Sequence, residues 1–199
     1  KVAEAQNAFL PAIKGALAAN PVKGTITLSG YEGSELIVAR LLIEAGADIP
    51  YVGTACQKTP MSAADCEWLE AKGVKVKFRA SLEDDCAAME AIKPDLAIGT
   101  TPVVQKGKQL GIPSLYFTNL ISARPLMGPA GAGGLAPVIN AAMGNKDRMG
   151  KMKFFFEGVG AGDTAGVWEG APNLQPDFKA VRQKKLDKAA RAAKAQEMI

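Results

Sequence analysis

The sequence predicts a doubly wound parallel α/β fold, and three observations carry that expectation. Short β-rich runs recur five times, stretches of helical periodicity separate them, and glycine or proline punctuates most junctions. A strand-helix-strand repeat of this length makes successive strands parallel, because each helix carries the chain back over the sheet. The expected product is a three-layer, Rossmann-like sheet of about five strands, ordered 3-2-1-4-5, followed by a C-terminal helical extension.

Each element has its own local reason. Val2–Ala19 reads as an amphipathic leading helix interrupted by Pro11, so residues 1–23 precede the sheet as an appendage. Thr25–Ser29 is the first strand. Ser34, after Gly33, is placed to cap a helix over Ser34–Ala45. Leu36, Ile37, Leu41 and Leu42 fall close to one face of that helix, and Gly46 stops it. Ile49–Gly53 is the second strand, and a helix over Ala63–Ala71 ends at Gly73 before a third strand, Val74–Arg79. Leu82–Ile92 is helical up to Lys93-Pro94, since a residue before proline is driven out of the α region. Leu96–Gly99 is the fourth strand. Thr100 or Thr101 then caps a helix with Pro102 in its first turn and Gly111 at its end. Ile112–Phe117 completes a domain over residues 24–120. Residues 121–157 read as a Gly/Pro loop and a helical region, Leu135–Phe156, broken or bent near Gly144-Asn145. Residues 158–199 hold an irregular Gly- and Pro-rich segment, Gly158–Pro176, and a basic helix with a thin apolar stripe.

Composition removes several classes of function. Histidine is absent, which excludes Ser-His and Cys-His nucleophilic pairs, imidazole acid–base chemistry and every His-containing metal site. Cys56, Cys66 and Cys86 form no C-x-x-C pair and read as free, mostly buried thiols. The net charge of +4 sits in the tail: from Lys179 onward seven basic residues face two acidic ones, leaving the preceding body at −1. A near-neutral body has no electrostatic footprint for nucleic acid. No run approaches the roughly 20 apolar residues that cross a bilayer, and no secretory leader opens the chain, so a soluble cytoplasmic protein is expected. The start at Lys1, directly into a helix-like stretch, is consistent with a piece of a longer polypeptide.

In doubly wound sheets, ligands bind beyond the carboxyl ends of the strands where the order reverses. Those ends are Ser29-Gly30 and Gly99-Thr100. The loop Gly30-Tyr31-Glu32-Gly33-Ser34-Glu35 lacks the G-x-G-x-x-G spacing, and Glu32 and Glu35 put negative charge where pyrophosphate would sit. Dinucleotide binding is therefore disfavoured, and a tight turn with a helix cap accounts for the loop. Gly99-Thr100-Thr101-Pro102 is likewise most simply a strand end and a helix start. The stretch Ser122–Gly134 packs four glycines and two prolines into thirteen residues. Two readings of it stand. Either it crosses the sheet edge and its glycines permit helix packing, or it lines a flat apolar ligand. In the second reading Leu126 and Met127 offer a polarizable surface, and Arg124 is available for a carboxylate or a partner. The basic tail is either a solvated helix or a docking element for an acidic surface.

Three strings carry a resemblance. GTITLSGYEGSELIVARLLIEAGADIPYVGT (Gly24–Thr54) and PDLAIGTTPVVQKGKQLGIPSLYFT (Pro94–Thr118) resemble the last Rossmann-like domain of nitrogenase component subunits and dark-operative protochlorophyllide reductases. YFTNLISARPLMGPAGAGGLAPVINAAM (Tyr116–Met143) is similar to the version in the chlorophyllide a-reducing branch of that family. The resemblance covers essentially the whole chain. It implies a part in bacteriochlorophyll synthesis, in a complex that reduces the C7=C8 bond of ring B of chlorophyllide a. The implied partners are a related subunit, Z, in a heterotetramer, and an iron–sulfur protein that hydrolyses ATP and donates electrons; ATP is not expected to bind here. A [4Fe-4S] cluster is implied for the complex, with its cysteines in an amino-terminal domain, so Cys56, Cys66 and Cys86 are not assigned to it. The position matching the cofactor histidine of molybdenum nitrogenase falls near Ser122, so that cofactor is not expected. The implied substrate wall is Leu126, Met127, Gly128, Pro129 and Gly131, with Gly30, Thr100 and Arg124. No catalytic or metal-ligating residue is assigned, and the segment alone is expected to be inactive. A stand-alone nucleotide enzyme and a purely structural assembly module are the alternatives.

Overall fold

In the computed structural model, residues 2–123 and 128–155 are described. Five strands, β1 (Thr25–Gly30), β2 (Asp48–Thr54), β3 (Lys75–Phe78), β4 (Leu96–Gly99) and β5 (Ser114–Tyr116), form one parallel sheet in the order β3-β2-β1-β4-β5. The order matches the expectation. The helices are α1 (Val2–Ala19), α2 (Glu35–Glu44), α3 (Pro60–Ala71), α4 (Leu82–Ile92), α5 (Thr101–Leu110), α6 (Phe117–Ala123), α7 (Gly128–Met143) and α8 (Lys146–Phe155). Packing gathers Lys1–Lys153 into one compact unit.

Central β1 is buried on both faces, and its alternation assigns them. Ile26 and Leu28 join the larger core with Leu36, Leu42, Leu135 and Ile139, beside α2 and α7. Thr27 and Ser29 therefore face the other layer, where Met89 of α4 and Val103 of α5 pack with Ala97.

Several helix ends follow their sequence chemistry and several do not. α3 starts at Pro60, earlier than expected, because Thr59 and Ser62 form a reciprocal capping box. Ser81 and Asp84 do the same for α4, which ends on Lys93 in the left-handed region at φ 52°. Ser34 and Thr100 stand at N-cap positions, but neither side chain makes a capping bond. Pro11 does not interrupt α1: it lies within a continuous helix whose surface at that point is exposed, and the helix continues without the bond a residue with an N–H would give the Asn7 carbonyl.

The largest departure is at the Gly/Pro stretch, for which the sequence predicts a loop up to Gly134. From Gly128 onward it is helix α7, with Pro129 in the first turn, where a missing N–H costs no helical bond. A Cβ on Gly133 would come 2.7 Å from the Cβ of Ala16, so this glycine serves close packing of α7 on α1. Arg124, Leu126 and Met127 lie outside the described residues, as do the irregular segment and the basic tail. The break near Gly144-Asn145 is present between α7 and α8. Cys66 is buried, whereas Cys56 and Cys86 are only half-buried; all three are free. No helix among the described residues is long and apolar enough to cross a membrane.

Candidate functional site

The chain leaves β1 toward β2 and β3, then crosses back to β4 on the other side, which makes the carboxyl ends of β1 and β4 the topological switch point. A hollow of about 290 Å³ opens there, lined by Tyr31, Gly99, Thr100, Thr101, Tyr116, Phe117, Thr118 and Asn119. Among the described residues, its wall combines three aromatic rings with hydroxyls and one amide and carries no charged side chain. A chain of hydroxyls braces one side: Tyr31 Oη lies 3.1 Å from Thr118 Oγ1, which in turn donates to Glu32 Oε1 at 3.3 Å. The β1–α2 loop is thereby tied to the start of α6.

Of the expected wall residues, Thr100 lines the hollow. Gly30 ends β1 at the same rim but faces elsewhere, because a Cβ there would run into the Glu35 carboxylate. Glu35 is fully buried; it accepts from the Glu32 backbone N–H at 2.8 Å and from Thr54 Oγ1 at 3.0 Å. The acidic residue that spoils a phosphate loop is thus a structural brace between α2 and the end of β2.

α7 runs from the rim downward. Its lower end meets the amino edge of the sheet, where Asn140 Nδ2 donates to Pro21 O at 3.1 Å and Met143 abuts Gly24. Sixteen helical residues span about 24 Å and a six-residue strand about 20 Å, so the Gly128–Gly131 turn stands at the level of the carboxyl edge. Gly128, Pro129 and Gly131 lie in the first turn of that helix.

Sequence reasoning missed Tyr31, Tyr116, Phe117, Thr118 and Asn119. The strand-end rule, extended from β1 and β4 to neighbouring β5, reaches Tyr116 through Asn119 directly. It also missed a second buried carboxylate. Asp85 of α4 is 5% exposed and accepts a 2.8 Å bond from Tyr51 Oη. Burial pushes its carboxyl up to about 6, with the Tyr51 bond acting the other way. Burial and the same carboxylate raise the Tyr51 hydroxyl, which stays protonated and can only donate to an ionised Asp85.

The chain matches known proteins throughout. It is 79% identical, over all 199 residues, to the chlorophyllide reductase 52.5 kDa chain of Cereibacter sphaeroides, and 72% identical to the same-named chain of Rhodobacter capsulatus. It spans 40% of the length of each of these curated relatives. A solved nitrogenase Cp1 at pH 6.5 superposes with a TM-score of 0.55 at 20% identity, over 72% of this chain and 33% of that one, which shows a shared fold. The family model for nitrogenase component 1 type oxidoreductases matches residues 1–143, the stretch that carries the sheet, the rim hollow and α7. On that match and those identities, the chain belongs to the nitrogenase component 1 type oxidoreductase family.

Proposed function

We propose that this chain is the carboxy-terminal α/β domain of subunit Y of chlorophyllide a reductase, a nitrogenase-like, ATP-dependent enzyme that reduces the C7=C8 bond of ring B. The single observation that carries this reading is the 79% identity across the full 199 residues to a chlorophyllide reductase chain. In the assembled enzyme the rim forms one wall of the pigment site. A hollow of about 290 Å³ lies at the lower end of the range for small-molecule pockets, so it takes the edge of a flat macrocycle and not the whole. Tyr31, Tyr116 and Phe117 supply apolar faces for that edge, and Thr101, Thr118 and Asn119 supply hydrogen bonds to its carbonyl substituents. The resemblance assigns Gly128, Pro129 and Gly131 to the same site, together with Arg124, Leu126 and Met127, which lie outside the described residues.

The described residues do not fit an iron–sulfur cluster. No three Cys, Asp or Glu side chains gather into a ligand set among them. In this reading a [4Fe-4S] centre is held by other parts of the complex with subunit Z, and electrons arrive from the ATP-hydrolysing iron–sulfur protein. A nucleotide enzyme is disfavoured by geometry, since the buried Glu35 fills the place where a phosphate would meet the helix.

The test is reconstitution. The full-length chain, assembled with subunit Z and the iron protein and supplied with ATP and dithionite, is expected to convert chlorophyllide a to a product with the absorption spectrum of a ring B-reduced pigment. Reduction at another ring, or none by a complex with an intact cluster, would overturn the assignment.

A further inference from the structure

Among the described residues, three buried side-chain oxygens have no hydrogen-bond partner: Thr27 Oγ1, Ser29 Oγ and Thr100 Oγ1. They are not scattered. Thr27 and Ser29 project from β1 toward the α4–α5 layer, and Thr100 follows the end of neighbouring β4. In register with them across β2, Thr27 pairs with Tyr51 and Ser29 with Gly53. A Cβ on Gly53 would overlap the Asp85 carboxylate and come 2.8 Å from Tyr51 Oη, so Asp85 lies directly over Gly53. On the other side, Ser29 Oγ lies 2.6 Å from where a Cβ of Gly99 would be, and Gly99 and Thr100 line the rim hollow. Ser29 thus stands between the buried acid and the hollow: Asp85 and Tyr51 take the space over Gly53, and the Ser29 hydroxyl and Val103 take the space over Gly99.

Adjacent strands are about 4.8 Å apart, so the acid over Gly53 and the Ser29 hydroxyl stand about one strand spacing apart or somewhat more. Buried hydroxyls rarely go unpartnered, and internal water is the usual partner where several polar groups converge. We propose that internal water joins Asp85, Ser29 and Thr100 into a lane that carries protons from α4 to the rim hollow, with Asp85 as the proton-holding group. Burial holds the acid near neutrality against the Tyr51 hydrogen bond. Asp84 beside it and Glu35 across the sheet also raise it, Lys77 of β3 lowers it, and Cys86 is the adjoining thiol.

This use of the lane rests on the reading given under Proposed function. Reduction of a carbon–carbon double bond takes two electrons, here from the iron–sulfur protein, and two protons, one for each carbon. The lane supplies one proton. The Asp85 O–H bond breaks, O–H bonds along the water and hydroxyls exchange one for one, and a C–H bond forms at the rim. The remaining carboxylate is held by the Tyr51 hydroxyl and regains its proton from solvent.

The experiment compares wild type, Ser29→Ala and Asp85→Asn in the intact, fully assembled protein. Infrared difference spectra through a titration around pH 6 are expected to show a protonated-carboxyl band that Asp85→Asn abolishes. Ser29→Ala should shift that band in frequency, because it removes a hydroxyl on the lane. In pigment turnover, Ser29→Ala is expected to lower kcat about tenfold or more, with KM unchanged and an altered pH profile. An Asp85 band indifferent to Ser29→Ala would overturn the lane, and so would wild-type kcat and pH profile in both variants. Should Asp85→Asn fail to assemble, Ser29→Ala, which deletes one unpartnered oxygen, decides. If wild type reduces no chlorophyllide, the functional reading fails and the infrared comparison still decides whether the lane exists.

Discussion

Glu35 and Asp85 are buried acids on opposite faces of the same sheet, and each fixes a glycine on the strand beneath it. Gly30→Ala would press a methyl into the Glu35 carboxylate, and Gly53→Ala would press one into Asp85 and Tyr51. Each is expected to cost about 1–3 kcal/mol in urea unfolding of the full-length protein. Gly15 in α1 meets nothing within 4 Å, and Gly15→Ala should instead stabilise by about 0.5–1 kcal/mol. Asp85 also sets a pH dependence. Its folded pKa of about 6 lies above the unfolded value of roughly 3.9, so its contribution is complete below that unfolded value and is lost as pH rises through about 6. The loss is on the order of 2–3 kcal/mol, and Asp85→Asn should flatten the stability–pH curve over that window. Asp95 runs the other way: the Lys146 ammonium and the Thr25 N–H lower its pKa, so its stabilisation is present above the unfolded value and fades in acid. Neither buried acid could be read as such from the sequence. Glu35 looked like a charge at a helix start, and Asp85 like one of three acids in a first turn. Only the strands packed beside them, distant in sequence, show which acid is inside.

For whole elements, the sequence is most legible where a local rule acts alone. Thr59 and Ser81 close reciprocal boxes, so Thr59→Ala and Ser81→Ala should each cost about 1 kcal/mol in thermal unfolding of the full-length protein. Ser34→Ala should be nearly neutral, because the Ser34 side chain makes no cap bond. α7 shows the limit of local rules. Its glycines and prolines argue for a loop, and helix propensity would agree. Burial of Ala132, Leu135, Ala136 and Ile139, with Gly133 seated against α1, outweighs that propensity. Gly133→Val should therefore lower stability by separating α1 from α7, although valine is the better helix former.

Across the molecule, strand order was legible because parallel crossovers leave few alternatives, and the rim followed from the order. The residues that shape the hollow were less so. β5 is three residues long and runs straight into α6, so Phe117, Thr118 and Asn119 looked like strand or connection until the short helix turned them to the rim. The central claim is that this rim walls the pigment. Its most direct test is the affinity of the assembled complex for chlorophyllide a, followed by pigment fluorescence, with Asn119→Trp filling the hollow. Kd is expected to rise at least about tenfold, roughly 1.4 kcal/mol, while Lys72→Ala, at the far end of α3, leaves it unchanged. Equal affinity in Asn119→Trp and wild type would place the pigment elsewhere and contradict the claim.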